Sequence, residues 1–214
     1  VSEVLLEARG LDFGYGHNSP VFQNWDAIFS AGEVVAITGP SGRGKSTLLY
    51  LLGLMLKPGA GKILVRGHEV SQFGDARRAH LRATLFGFVF QDAALDATRT
   101  VLDNVIETSL YRGEAREMAR GRAMDLMTQF GVERRASHKP GQVSGGQAQR
   151  IALCRALLNN PLILLADEPT GNLDSISSAV VVDALRAQAD GGSTIVVATH
   201  DHALVAGCDR VVEL

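Results

Sequence analysis

The chain has 214 residues, enough for one domain with its own core, and its formal net charge of −2 excludes a general attraction to nucleic acid or anionic lipid. Its longest apolar stretch, residues 48–56, is interrupted by Gly53 and is far too short to cross a bilayer. Cys154 and Cys208 have no CxxC and no neighbouring histidine pattern, so free thiols of a reducing cytosol are expected, and Val1-Ser2-Glu3-Val4 lacks the basic and apolar runs of a signal peptide.

In chain order, a first strand is predicted over residues 5–15, with alternation through Leu5, Glu7, Arg9 and Leu11. It runs into Phe13-Gly14-Tyr15-Gly16, before a turn at Asn18-Ser19-Pro20. A second strand covers 21–30, and Ala31-Gly32 turns into a buried strand, Glu33-Val34-Val35-Ala36-Ile37-Thr38. Next comes Gly39-Pro40-Ser41-Gly42-Arg43-Gly44-Lys45-Ser46-Thr47, which fills every fixed position of G-x-x-x-x-G-K-[ST], the P-loop. Gly42 and Gly44 allow a tight turn that presents backbone N–H groups to phosphate oxygens. Lys45 places a cation on the β- and γ-phosphates, and Ser46 offers a hydroxyl to Mg²⁺. A helix over 46–52 adds its N-terminal dipole to that site.

Residues 57–61 read as a loop, 62–65 as a short strand and 75–84 as a helix, with Arg77, Arg78 and Arg82 expected on a solvated face. A buried strand, 86–90, ends at Gln91. The segment 92–142 looks helical. Thr100 is placed to cap a helix over 101–110, with Asp103 at the capping-box position. Ala115, Met118, Ala119, Arg122, Leu126, Met127 and Phe130 follow helical spacing, and their apolar members form a core stripe. His138-Lys139-Pro140-Gly141 breaks that helix.

Val143-Ser144-Gly145-Gly146-Gln147 then opens a helix to about residue 159, again placing small donors and glycines before a helix N-terminus. The apolar run 162–166 reads as a central parallel strand that delivers Asp167 and Glu168. Adjacent acids after such a strand face different ways, so one can hold Mg²⁺ while the other activates a water. A loop through Asp174, a helix over 175–190, a strand over 194–198 ending at Thr199-His200-Asp201, and a last strand over 210–214 complete the chain. Strands alternating with helices imply an α/β fold with a mostly parallel sheet and ligand at the C-terminal strand ends. The histidines His17, His68, His80, His138 and His202 share no ligand spacing and are expected on the surface or in loops, and Trp25 in a strand or the core.

Val143-Ser144-Gly145-Gly146-Gln147 resembles the signature motif of ATP-binding cassette (ABC) ATPases, usually L-S-G-G-Q, with Val143 in place of Leu. The other family motifs follow in order across essentially the whole chain. The resemblance implies a P-loop NTPase of the ABC ATPase type. Its mostly parallel core would carry an N-terminal antiparallel β part and a helical subdomain at about 92–158, within a single domain over 1–214. It implies ATP and Mg²⁺ as ligands. Tyr15 matches the aromatic that stacks on adenine, with Phe13 as the alternative. Gly39, Pro40, Ser41, Gly42, Arg43, Gly44, Lys45, Ser46 and Thr47 match the phosphate loop. Gln91 matches the glutamine that reaches Mg²⁺ and senses the γ-phosphate, and Asp167, with Ser46, belongs to the same metal site. Glu168 matches the catalytic glutamate, His200 the switch histidine on the γ-phosphate and Asp174 the D-loop aspartate. Ser144, Gly145, Gly146 and Gln147 would complete the site of a second copy, in a homodimer formed with ATP.

Within the family, Glu168-Pro169-Thr170-Gly171-Asn172-Leu173-Asp174 and Thr199-His200-Asp201 look like the group serving macrolide-type exporters, lipoprotein release and cell-division complexes. Residues 90–95 and 208–214 are similar to small ATPases of bacteriocin or peptide exporters. Asp96-Ala97-Thr98-Arg99 stands where relatives often carry Leu-Pro, in a region that helps to receive the membrane subunit. The implied function is that of an ATPase powering a permease on a separate chain, peripheral on the cytoplasmic face of the membrane, with no nucleic acid as partner. The alternative is a soluble ABC ATPase acting on ribosomes or DNA; one cassette without long inserted arms argues for the transporter.

Overall fold

The computed structural model describes residues 3–16, 20–171 and 173–214. Val1-Ser2, His17 with the turn at Asn18-Ser19, and Asn172 lie outside the described residues. Strands β1 (Val4–Gly14), β2 (Pro20–Ser30), β4 (Ala60–Val65) and β5 (His68–Glu69) form an antiparallel sheet in the order β2-β1-β4-β5. A second, parallel sheet has the order β6-β7-β8-β3-β9, from β6 (Phe86–Val89), β7 (Ile163–Asp167), β8 (Thr194–Ala198), β3 (Val34–Thr38) and β9 (Arg210–Glu213). Helices α1 (Lys45–Leu52), α2 (Asp75–Leu85), α3 (Val101–Tyr111), α4 (Arg116–Gln129), α5 (Gly145–Leu157), α6 (Ser175–Asp190) and α7 (His202–Ala206) connect them.

The parallel sheet divides the core in two, as the period of a strand requires. Val35, Ile37, Ile163, Leu165, Val196 and Ala198 face α1 and the antiparallel sheet. Their neighbours Val34, Leu164, Ala166, Ile195 and Val197 face α3–α6. Strands β7 and β8 are buried at every residue, which explains why they read as continuous apolar runs rather than as alternation.

Strand β1 departs from the predicted alternation. Its buried residues are Leu5, Leu6, Ala8 and Leu11, while Arg9 is exposed. Gly10, at φ 55°, carries a bulge that shifts the register against both neighbours, and this moves the core face from Ala8 to Leu11. Helix α2 is also less solvated than its arginines suggest. Arg77 is exposed and lies over the Phe73 ring, but Arg78 is buried and Arg82 is half-buried. These two guanidiniums donate to the carbonyls of Leu56 and Leu54, which the end of α1 leaves without helical partners.

The segment 92–142 is less continuous than its composition suggests. Thr100 does cap α3, accepting from the Asp103 N–H at 3.1 Å. But α4 ends at Gln129, with Gly131 at φ 64° turning the chain, well before His138-Lys139-Pro140-Gly141. Its buried face is Ala119, Ala123, Met127 and Phe130; Ala115 and Met118 are exposed, and Arg122 pairs with Glu114 at the surface. The short elements β5 and α7 were not anticipated. Cys154 is buried in the core, which pushes its thiol up to about 12, and Cys208 is a free, half-buried thiol.

Candidate active site

The parallel sheet brings four chain segments together at the C-terminal ends of its strands. The loop after β3 holds residues 39–44, β6 leads to Gln91, β7 ends in Asp167 and Glu168, and β8 leads to Thr199 and His200. There Ser41, Gly42, Gly44, Lys45, Ser46, Thr47, Gln91, Asp167, Glu168 and His200 line one cleft of about 370 Å³. Gly39, at the end of β3, and the exposed Pro40 and Arg43 belong to the same loop without lining the cleft.

Helix α1 starts at Gly44 without any side-chain cap, so its first N–H groups keep their capacity to donate. Gly44 sits at φ 91°, and a Cβ there would come within 2.5 Å of Val21 Cγ1, so only glycine fits this start. Lys45 curls over the loop: its Nζ donates to Gly39 O at 2.7 Å and to Pro40 O at 3.2 Å. An ammonium resting on two carbonyls, beside uncapped amides, is a receptor for anionic oxygens. Tyr15 lies at the entrance, 69% exposed, with its hydroxyl 2.9 Å from Thr47 Oγ1. Phe13 is half-buried and meets Tyr15 at 5.0 Å with the ring planes near perpendicular, so Tyr15 is the more open of the two rings.

The two acids differ as their neighbours differ. Asp167 is almost wholly buried. Burial pushes its carboxyl up; a hydrogen bond from Ser46 opposes that, the Glu168 charge adds to it, and Lys45 opposes it. Glu168 has a left-handed backbone, φ 47°, which turns its side chain away from the strand's direction. Its Oε1 is 2.7 Å from His200 Nδ1 and its Oε2 accepts from Thr199 Oγ1 at 3.1 Å. The carboxylate is mostly covered, whereas the His200 ring is 80% exposed.

Gln91 is held between two anchors on α5. Gln149 donates to Phe90 O at 3.4 Å, and the buried Arg155 donates to Ala93 O at 2.8 Å and Ala94 O at 2.7 Å. Ala93 and Ala94 both lie in the left-handed region, at φ 61° and 44°, and the Ala93 N–H closes the turn onto Phe90 O at 3.0 Å.

The remaining predicted residues are not brought to the cleft. Ser144 caps α5: it accepts from the Gln147 N–H at 3.3 Å while Gln147 Oε1 accepts from the Ser144 N–H at 3.0 Å. Ser144 and Gly145 are exposed, Gly146 and Gln147 half-exposed, and none of them lines the cleft. The adjacent Val143 packs against the core, as an apolar residue in place of leucine would. Asp174 caps α6 through the Ser177 N–H and hydroxyl, contacts that hold its carboxyl below the usual range. Thr199, Thr170 and Arg155 were not singled out from the sequence; their contacts depend on partners 31 or more residues away.

Among the described residues no helix is long and apolar enough to cross a membrane, and no group of three or more His, Cys, Asp or Glu could by itself hold a metal. Residues 22–171 match the family model described as ABC transporter. The chain is 41% identical to a lipoprotein-releasing system ATP-binding protein LolD from Roseobacter denitrificans, covering 100% of this chain and 96% of that protein. It is 42% identical to a macrolide export ATP-binding/permease protein MacB from Nitrosomonas europaea over 98% of this chain, and so spans about a third of that relative, 32%. Among solved structures, a dimeric bacterial ABC transporter cassette, MJ0796, superposes with a TM-score of 0.93 at 34% identity, covering 98% of this chain and 94% of that one. A dimeric post-hydrolysis state of the same cassette, bound to ADP and Pi, superposes with a TM-score of 0.93 at 33% identity, with the same coverage.

Proposed function

The chain belongs to the ABC transporter family, and on that premise we propose that it is the ATP-binding and ATP-hydrolysing subunit powering a permease carried on a separate chain. The observation that carries this reading is the single cleft in which the phosphate loop, Gln91, Asp167, Glu168 and His200 converge. Uncapped amides and Lys45 bind and orient the phosphates of ATP, and Tyr15 receives the adenine on its exposed face. Ser46, Asp167 and Gln91 form an all-oxygen donor set, which suits a hard divalent cation. These residues would hold Mg²⁺, which when bound offsets charge on the phosphate oxygens. Glu168 orients or deprotonates the attacking water, and His200 turns from Glu168 to the γ-phosphate side.

In this proposal Ser144, Gly145, Gly146, Gln147 and Asp174 serve the cleft of a second copy. Their exposed or half-exposed position outside the chain's own cleft supports that reading, as do the dimeric solved relatives. The region 92–158 acts as a helical subdomain, and the permease docks between it and the parallel sheet. An apolar groove of about 610 Å³ there, lined among others by Met55, Arg82, Phe88, Glu107, Tyr111 and Arg155, supports the placement. Attachment is therefore through the permease, on the cytoplasmic face of the membrane. The relatives' names favour export or release of a peptide, antibiotic or lipoprotein as the work performed.

The test is phosphate release and calorimetric ATP binding by the purified chain, with Mg²⁺ and with EDTA. Saturable binding and Mg²⁺-dependent turnover are expected; absence of ATP binding would overturn the reading. Arg99 pairs with Asp96 and with Glu107, which lines the groove. Arg99→Glu should therefore lower permease-stimulated turnover more than basal turnover.

A further inference from the structure

Glu168 has two side-chain partners of opposite character. His200 is exposed, with its ring 80% open to solvent and Nδ1 2.7 Å from Glu168 Oε1. Thr199 is fully buried and directly follows β8. A hydroxyl has a single proton. The Asp201 N–H donates to Thr199 Oγ1 at 3.0 Å, which occupies an acceptor site and directs the proton to Glu168 Oε2, 3.1 Å away.

The donor is itself anchored on every side. The Thr199 N–H donates to Ile37 O at 3.2 Å, on the strand that carries the phosphate loop. Asp201 caps α7 through the Ala203 N–H at 2.9 Å and accepts from Thr170 Oγ1 at 2.8 Å, on the loop that follows Glu168. The Glu168 main chain is fixed as well: its N–H donates to Ala198 O at 2.9 Å and its carbonyl accepts from the Gly171 N–H at 3.1 Å. One carboxylate oxygen is thus tied to the sheet, while the other meets only an exposed ring.

We propose that Thr199 is the positioning residue of Glu168: its buried hydroxyl fixes Oε2, so that Oε1 addresses water when His200 turns away. This rests on the hydrolytic reading above. Thr199→Val keeps the shape and removes both hydrogen-bonding functions; Thr199→Ser keeps the hydroxyl.

The experiment measures kcat and KM for MgATP in the wild type, Thr199→Val, Thr199→Ser, Glu168→Gln and Glu168→Gln/Thr199→Val, with ATP affinity and thermal melting alongside. A hydrogen bond to a charged group at the reacting centre predicts a loss in kcat on the order of tenfold or more for Thr199→Val, with KM and ATP affinity changed by less than about threefold. Thr199→Ser should recover most of the rate, and Thr199→Val should take nothing further from Glu168→Gln. Wild-type kcat in Thr199→Val, an equal loss in Thr199→Ser, or the same loss repeated in the Glu168→Gln background would overturn the assignment. If Thr199→Val fails to fold, Thr199→Ala measured against Thr199→Ser makes the same comparison. A wild type without ATPase activity would overturn the hydrolytic reading and this proposal with it; an active wild type matched by Thr199→Val removes Thr199 alone.

Discussion

The cleft at the strand ends and the turn at Ser144 are both glycine-containing helix starts, yet they are built differently. Helix α1 begins with no cap, under a lysine that rests on loop carbonyls. Helix α5 begins with a complete capping box in which Ser144 and Gln147 satisfy each other. The first is unfinished within one chain and asks for an anion. The second is locally stable, exposed and ready to be presented outward. An uncapped start beside a lysine ammonium is a receptor; a capped start at the surface is a face offered to something else.

Substitutions in the cleft and at Ser144 test that contrast. Glu168→Gln should have the largest effect. Removing the carboxylate that acts on water should cost turnover by about 10²–10⁴-fold, with ATP binding kept. The variant should then persist as an ATP-bound dimer in size-exclusion chromatography with light scattering. Adding Ser144→Arg should return it to monomers while each chain still binds ATP; a double variant that dimerises with ATP would assign the outward face elsewhere. Lys45→Ala comes next. It removes a charged donor, so affinity measured by calorimetry should fall by about 10–100-fold, following the ~1.5–3 kcal/mol of a charge-assisted hydrogen bond.

Tyr15→Ala should be milder, a several-fold loss at the low end of the about 1–3 kcal/mol per base stacked on an aromatic ring, because this ring is largely exposed. Tyr15→Phe, which loses only the contact to Thr47, should bind nearly as the wild type does. Unchanged affinity in Tyr15→Ala would move the adenine to another surface. Ser144→Ala should have the smallest effect on the isolated chain, about 1 kcal/mol of stability from the lost cap, read in a thermal melt, with monomer ATP binding intact.

Much of this was legible in the sequence because it is local. The phosphate loop is a contiguous pattern, and β7 announces itself by an apolar run that ends in two acids. Thr100 was legible as a cap because a cap needs only its own next turn, whereas Ser144, expected as a donor to an anion, proves to cap α5. What escaped was decided by distant partners. Arg78 looks solvated until Leu56 O is placed beside it. Thr199 is an unremarked hydroxyl until Glu168, 31 residues earlier in the chain, comes within reach. The face of β1 cannot be read through Gly10, because a single bulge reverses the alternation that the reading depends on.

The anchoring around Gln91 has a mechanical consequence. Phe90 and Ala93 are two posts fastened to one helix, and the dipeptide between them is slung like a short rope bridge. A bridge with both ends on the same bank cannot travel along it. While both anchors hold, Gln91 swings only about the bonds between them, and a larger displacement has either to break an anchor or to move α5 with it.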